Sequence, residues 1–257
     1  MSDIKNSMRD FLDSKVHQYN TLSYIESDPI QIPHRFSDIN DIEISAFLAA
    51  QLAWGNRKSI IKSASRLIEL MENSPYEWVK NATQNDFKVF NKFVYRTFNS
   101  VDTVYYIKKI QGIINNYNTL GNCFKHLYVS NGKNVREMLS AFYVLFMDAA
   151  LQRTYKHLSN VSKGSAAKRL NLFLRWMVRN DIIKVDFGLW NFIPQNELYI
   201  PLDVHSSRVA RKLNLLKRKT NDWKSVDELT QALKQFDPSD PAKYDYALFG
   251  LGIFEKF

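Results

Sequence analysis

One lysine stands where the sequence favours a nucleophilic amine. Lys168 lies in the segment GSAAKR, residues 164–169, directly after a turn of small residues and at the start of a helical pattern. A helix N-terminus disfavours an ammonium group, and a partly buried cleft disfavours it further. Both effects favour the neutral amine that a nucleophile requires, so Lys168 is a candidate for covalent catalysis.

The turn before Lys168 has the composition of a phosphate-binding turn. Gly164 allows a positive φ or a close approach to another backbone. Ser165, Ala166 and Ala167 then place the amides of a starting helix where an anion can reach them. We therefore predict that Gly164, Ser165 and Ala166 contact the backbone of a nucleic acid.

A single aspartate begins another helical pattern downstream. Asp203 lies in PLDVHSSRVARKL, residues 201–213, after Pro201 and before a helix with apolar periodicity. Taken alone, this position is that of an ordinary N-cap. A carboxylate is also able to stabilise positive charge that develops near it, and the two interpretations stay open at this point.

Together the two segments resemble the helix-hairpin-helix (HhH-GPD) DNA glycosylases. Residues 164–168 are similar to the LPGVGxK hairpin of that superfamily, and residues 202–205, LDVH, are similar to its aspartate segment. The resemblance implies a two-lobed helical fold. It also implies that Lys168 attacks C1′ of a damaged nucleotide, displaces the base and forms a Schiff base from which strand cleavage can follow. Asp203 would stabilise the positive charge on the sugar.

Two further segments resemble the archaeal 8-oxoguanine glycosylase branch of this superfamily. AFLAAQL, residues 46–52, is similar to its glutamine-bearing helix, and YDYALFG, residues 244–250, to its LDxLLWxxG helix. The resemblance implies that Gln51 and Asp245 hydrogen-bond a flipped base and that Phe249 contacts it, with 8-oxoguanine as the substrate. The chain also looks like a bacterial family within the superfamily that carries GSAxKRLNxFLRWMVR and PLDVH signatures, whose membership alone implies no activity.

The sequence departs from the superfamily pattern at three places. Ala166 replaces the second hairpin glycine, and the segment VDFGLWNFIPQNELYI, residues 185–200, lengthens the interval between the lysine and the aspartate. Leu172 stands where the archaeal branch has an aromatic residue. Trp176, Trp190 or Trp54 could supply the missing wall of the base pocket.

Some other residues have possible contacts with DNA. Trp54 interrupts a helical pattern beside Asn56 and Arg57 and could fill the gap left by a flipped nucleotide. His205 lies two residues, and so about 200° around the helix, from Asp203 at the cap, which favours a phosphate or sugar contact. A basic run is either a solvated face or a surface that follows the DNA backbone: Arg208, Arg211, Lys212, Lys217, Arg218 and Lys219.

Composition agrees with a nucleic-acid partner. The chain of 257 residues has a net charge of +9 and a pI of about 9.4. Its one cysteine excludes a disulfide framework and a four-cysteine cluster, which fits a reducing cytoplasm. We expect a cytoplasmic monomer that binds double-stranded DNA, has no membrane partner and needs neither metal nor organic cofactor. Nucleotide-binding glycine loops and the HExxH and GxSxG patterns are absent.

Apolar residues recur at three-to-four spacing along most of the chain, which predicts an all-α protein with few strands. We expect residues 1–257 to form one compact unit that can divide into two lobes, with the hairpin and active site at about 160–216. Arg35 and Arg96 have the appearance of ion-pair residues. The predicted helices are Met8–Tyr19, about 41–53, 57–71, 102–117, 135–151, 165–179, 204–216, 225–235 and 241–252.

Two other functional classes remain open. A non-catalytic helix-hairpin-helix module that binds DNA or RNA would need the turn and the basic run, but neither Asp203 nor an uncharged lysine. A glycosylase-fold enzyme acting on a modified nucleoside would show little dependence on salt, whereas an enzyme bound to duplex DNA weakens steeply as salt rises.

Overall fold

The computed structural model describes residues 2–257, with side chains from residue 5 onward, and it is mostly helical. Helices make up 63% of it and strands 2%, which confirms the all-α prediction. The helices are α1 (Ser2–Tyr19), α2 (Leu22–Ser27), α3 (Ile39–Leu52), α4 (Arg57–Glu69), α5 (Pro75–Asn81), α6 (Ser100–Tyr117), α7 (Leu120–Ser130), α8 (Val135–Met147), α9 (Lys168–Val178), α10 (Val204–Lys212), α11 (Trp223–Lys234) and α12 (Tyr244–Ile253). The strands β1 (Val94–Tyr95) and β2 (Phe98–Asn99) form one antiparallel hairpin.

The chain divides into two compact units. The central unit is Ser27–Leu158, and the terminal unit combines the chain up to Glu26 with Ser159–Phe257. The region predicted to hold the active site, about 160–216, belongs to the terminal unit.

Side-chain caps explain where several helices begin. In each case an Asp, Asn or Thr accepts a hydrogen bond from an amide in the first turn, which satisfies a group that has no partner within the helix. The helices α3, α4, α6, α7, α8, α10 and α11 begin in this way, behind Asp38, Asn56, Asn99, Thr119, Asn134, Asp203 and Asp222.

The terminal unit is built around α12. Its core includes Leu12 of α1, Val209 of α10, Leu229 of α11 and Leu248 of α12. Two glycines let the neighbouring helices approach. A Cβ at Gly250 would lie 2.1 Å from the Tyr19 ring, and one at Gly252 would lie 3.0 Å from the His205 Cβ. Helix α12 is thus in close contact with both α1 and α10.

The central unit has an aromatic core. Phe47 of α3 packs against Tyr106 of α6 and against Phe142 and Phe146 of α8, with ring centroids 5.5–6.3 Å apart. All four side chains are fully buried. Aromatic residues thus join α3, α6 and α8 into one core.

The predicted helices are present, and the break at WGN between α3 and α4 is confirmed. Three helices were not predicted. Helices α2 and α5, with six and seven residues, are shorter than the window in which periodicity can be recognised. Helix α7 contains Gly121, which weakens the helical pattern.

Candidate functional site

Lys168 is the first residue of α9, as predicted. The residue before it, Ala167, has a left-handed backbone conformation with φ of 47°, and its side chain does not cap the helix. Gly164 has a φ of +82°, and no atom lies within 4 Å of the position its Cβ would take. The glycine is therefore required for its backbone angle and not for a close approach.

The turn is followed but not preceded by an α-helix. Between Met147, where α8 ends, and Lys168, the described chain forms only the short 3₁₀ helix Thr154–His157. The turn is fixed from another side, because Ser165 pairs with Asp222 in an isolated antiparallel bridge. The Trp223 amide also donates to the Gly164 carbonyl over 2.9 Å. The start of α11 thus holds the turn in place.

Asp203 is the N-cap of α10, as predicted. Its Oδ1 accepts hydrogen bonds from the amides of His205, at 2.8 Å, and Ser206, at 2.9 Å. Its other oxygen, Oδ2, accepts no hydrogen bond from the described residues. Oδ1 therefore caps the helix, and Oδ2 can interact with a positively charged group.

Asp245 lies in the first turn of α12 and is 5% exposed. Its Oδ2 accepts a hydrogen bond from Arg175 Nη1. Burial raises the pKa of the Asp245 carboxyl to about 7, although the Arg175 guanidinium opposes this rise. The Asp203 carboxylate raises this pKa as well, and Lys168 lowers it. Both groups thus lie close enough to Asp245 to act on its charge.

Arg175 is a site residue that the sequence analysis missed. It lies on α9 two turns after Lys168 and is 1% exposed. Its Nε donates to Asp186 Oδ1 over 3.2 Å, and its guanidinium lies 4.3 Å from the centre of the Tyr246 ring. Burial alone would lower the pKa of Arg175, but Asp186, Tyr246 and Asp245 raise it well above its usual value. An arginine within the apolar run LFLRWMV was the available signal, because arginine is almost never buried without a partner.

The charged cluster continues at the end of α9. Arg179 Nη1 donates to Asp186 Oδ2 over 3.0 Å, and its Nε donates to Asp240 Oδ2 over 2.9 Å. Asp186 is fully buried and thus connects the two arginines. The long insertion between the lysine and the aspartate supplies this shared carboxylate.

The predicted contacts on α10 have structural partners. Arg208 Nη2 donates to the Gly252 carbonyl over 2.9 Å, which joins α10 to the end of α12. His205 is half-buried, and its Nδ1 is buried without a hydrogen-bond partner among the described residues. Both residues lie in the contact between α10 and α12.

The aromatic candidates of the terminal unit are mostly core residues. Trp176 is 0% exposed and Trp190 is 2% exposed, with the Trp190 ring edge-on to Phe173 at 5.2 Å. Leu172 is also buried. Phe249 is half-buried and lies edge-on to Tyr24, with centroids 6.4 Å apart.

The remaining predicted site residues belong to the central unit. Gln51 is buried near the end of α3, and Asn56 caps α4 through a bond from the Ser59 amide. Arg57 is the first residue of α4, and its Nη1 donates to Ser27 Oγ over 3.4 Å. Trp54 lies half-buried between the two helices.

The predicted ion pairs of Arg35 and Arg96 are not found among the described residues. Arg35 Nη2 instead donates to Ser65 Oγ over 2.6 Å. Arg96 lies over the Trp54 ring, 5.1 Å from its centre. Gly55 makes this stacking possible, because a Cβ there would lie 2.7 Å from Arg96 Nη1.

The structure thus brings Lys168, Asp203 and Asp245 together within the terminal unit and adds Arg175 to them. In the part of the chain that is described, no group of three or more His, Cys, Asp or Glu side chains is arranged to hold a metal ion. None of the described helices combines the length and apolar character needed to cross a membrane.

Comparison with known proteins gives one family. No curated protein and no solved structure matches the chain. The family model described as "Protein of unknown function (DUF2400)" matches residues 28–254. Because this match spans most of both units, the chain belongs to the DUF2400 family.

Proposed function

We propose that this protein is a DNA base-excision repair glycosylase with lyase activity that removes an oxidised purine, 8-oxoguanine above all. One observation carries the proposal. Lys168 begins α9, Asp203 caps α10, and both act electrostatically on the same buried carboxylate, Asp245. This shared effect supports a single site for a candidate nucleophile and a candidate stabilising carboxylate that lie far apart in sequence.

Lys168 and Asp203 have different roles in this reaction. The lone pair of Lys168 Nζ attacks C1′ of the nucleotide, and the electrons of the broken glycosidic bond leave with the base. One amine proton passes to the departing base. The other passes to O4′ as the C1′–O4′ bond breaks and the sugar ring opens to a Schiff base, from which strand cleavage can follow. Both capping amides donate to Asp203 Oδ1, so Oδ2 is the oxygen that stabilises the positive charge developing on the sugar. A preorganised charge of this kind is usually the largest single contribution to catalysis.

For recognition of the flipped base, the proposal assigns roles to Gln51, Asp245 and Phe249, with Trp54 as a further candidate. An 8-oxoguanine base differs from guanine by an N7–H donor and a C8 oxygen. Ionised Asp245 is an acceptor for N7–H, and the amide of Gln51 both donates and accepts. Strongly shifted carboxyl groups are concentrated at functional sites, and Asp245, whose pKa is raised to about 7, is ionised and able to accept N7–H at and above neutral pH.

Borohydride trapping tests the proposal directly. Duplex oligonucleotides that each carry a different lesion are incubated with the protein and borohydride, which reduces a Schiff base to a stable secondary amine. We expect a covalent complex with 8-oxoguanine DNA that Lys168→Gln abolishes while DNA binding is retained. The matched control is Lys163→Gln, which removes the nearest other lysine before the turn and should still be trapped at saturating protein.

The outcomes separate the functional classes. Undiminished trapping of the Lys168→Gln protein would exclude this lysine from the mechanism. Binding of duplex DNA without trapping on any lesion would instead support a non-catalytic binding module.

A further inference from the structure

Exposed lysines surround the bridge that joins the Lys168 turn to α11. Lys163 lies two residues from Ser165 in the turn, and Lys219 and Lys224 lie three and two residues from Asp222 on the other side of the bridge. Lys217 lies slightly further along the same loop. All four side chains are exposed and form no ion pair with a described residue. Since a chain advances at most about 3.6 Å per residue, the three nearer lysines lie within about 11 Å of the bridge.

The arginines of this region have internal partners instead. Arg211 Nε donates to the Arg218 carbonyl over 2.9 Å, and its Nη2 donates to Asn221 Oδ1 over 2.6 Å. Arg218 forms an ion pair with Asp222. These arginines stabilise the loop between α10 and α11, while the lysines remain at its surface.

The acidic groups nearest the bridge are also engaged. Asp222 accepts hydrogen bonds from Arg218, Thr220 and the Ser225 amide. Glu228 Oε1 accepts from the Lys217 amide over 2.6 Å. Asp227 is the exposed carboxylate of this stretch. Positive charge therefore predominates on this surface.

We propose that Lys163, Lys217, Lys219 and Lys224, named here the bridge lysines, bind the phosphodiester backbone of duplex DNA beside the candidate site. This proposal rests on the proposed function, since it identifies how its substrate is held. The bridge lysines lie beside the turn of residues 164–167, which directly precedes Lys168 at the start of α9. Flexible lysines suit a contact with phosphates that is independent of base sequence. The bridge lysines position the DNA and take no part in the chemical step.

Salt-dependent binding tests the proposal. The variants Lys217→Gln/Lys219→Gln and Lys163→Gln/Lys224→Gln are compared with wild type on an undamaged fluorescent duplex at several salt concentrations. Each pair should weaken binding at low salt on the order of tenfold and should reduce the slope of log K against log salt by about 2. The matched control Lys88→Gln/Lys125→Gln removes two exposed lysines of the central unit and should change affinity less than about twofold.

Three further measurements complete the test. Arginine at the four positions keeps the charge and should retain wild-type affinity. Trapping on lesion DNA at subsaturating protein should fall in the glutamine variants in parallel with the loss of binding. Wild-type salt slopes in both glutamine pairs would overturn the proposal, as would equally tight binding of polyglutamate.

This test distinguishes the proposal from the function on which it rests. Loss of binding in the glutamine pairs, together with no trapping by wild type, would refute the glycosylase and retain the DNA surface. Normal trapping by wild type, together with unchanged binding by the glutamine pairs, would retain the glycosylase and refute the DNA surface.

Discussion

Arg175 donates a buried hydrogen bond to Asp245 and thereby joins α9 to the first turn of α12. Residues seven apart lie on nearly the same face of a helix, so Arg175 follows Lys168 along one side of α9. The helix that carries the candidate nucleophile therefore also holds the carboxylate that responds to its charge.

Removing Arg175 should destabilise the fold strongly. In Arg175→Met the carboxylates of Asp186 and Asp245 lose a buried counter-charge, and a loss of about 3–5 kcal/mol in the free energy of unfolding is expected. Urea denaturation measures this difference. Arg66→Ala is the control, because Arg66 is exposed on α4, and it should change stability by less than about 0.5 kcal/mol. A similarly small effect of Arg175→Met would show that this ion pair contributes little.

The raised pKa of Asp245 should give the protein a characteristic pH dependence. The usual pKa of this carboxyl is 3.8, and in the folded protein it is about 7. Between these two pH values the folded protein keeps a proton on Asp245 that the unfolded chain has released. This contribution to stability is fully present below pH 3.8 and is lost as the pH rises through 7. Asp245→Asn cannot ionise, so its stability relative to wild type should increase between pH 4 and pH 8, by about 4 kcal/mol at most.

Thermal denaturation across this pH range measures the trend. Asp227→Asn, at an exposed carboxylate, should leave the wild-type trend in place. A constant difference between Asp245→Asn and wild type from pH 4 to pH 8 would contradict the raised pKa.

Asp203→Asn should separate the cap from catalysis. Asparagine caps a helix about as well as aspartate, so the melting temperature should stay close to that of wild type. The negative charge opposite the sugar is lost, and the single-turnover rate should fall by about 10²-fold or more. Asp203→Ala is the comparison and should also lose about 1 kcal/mol of stability. If Asp203→Asn unfolds at a much lower temperature, the aspartate has a structural role alone.

The residues proposed for base recognition should affect lesion recognition and not general affinity for DNA. Removal of one buried polar partner costs about 1–3 kcal/mol, so Asp245→Ala and Gln51→Ala should each lose that much on 8-oxoguanine duplex. Affinity for undamaged duplex, measured at the same pH, should change little. Equal losses on both duplexes would exclude these residues from base recognition.

Local sequence signals were sufficient for the helices and their ends. The break between α3 and α4, the cap at Asp203 and the start of α9 at Lys168 all follow from residues within a few positions of one another. Helical periodicity and capping depend on neighbours in the chain, which is why a single sequence contains them.

The partners of the charged side chains were decided by the tertiary structure. Arg96 had the appearance of an ion-pair residue but stacks on Trp54. Arg208, which is predicted to contact DNA, also donates to the Gly252 carbonyl, a partner that the sequence did not indicate. The sequence by itself determined a basic, helical protein with a lysine and an aspartate at helix starts. Only folding brought Arg175, Asp186 and Asp245 together, because burial and the distances between remote segments set which charges meet and how strongly they interact.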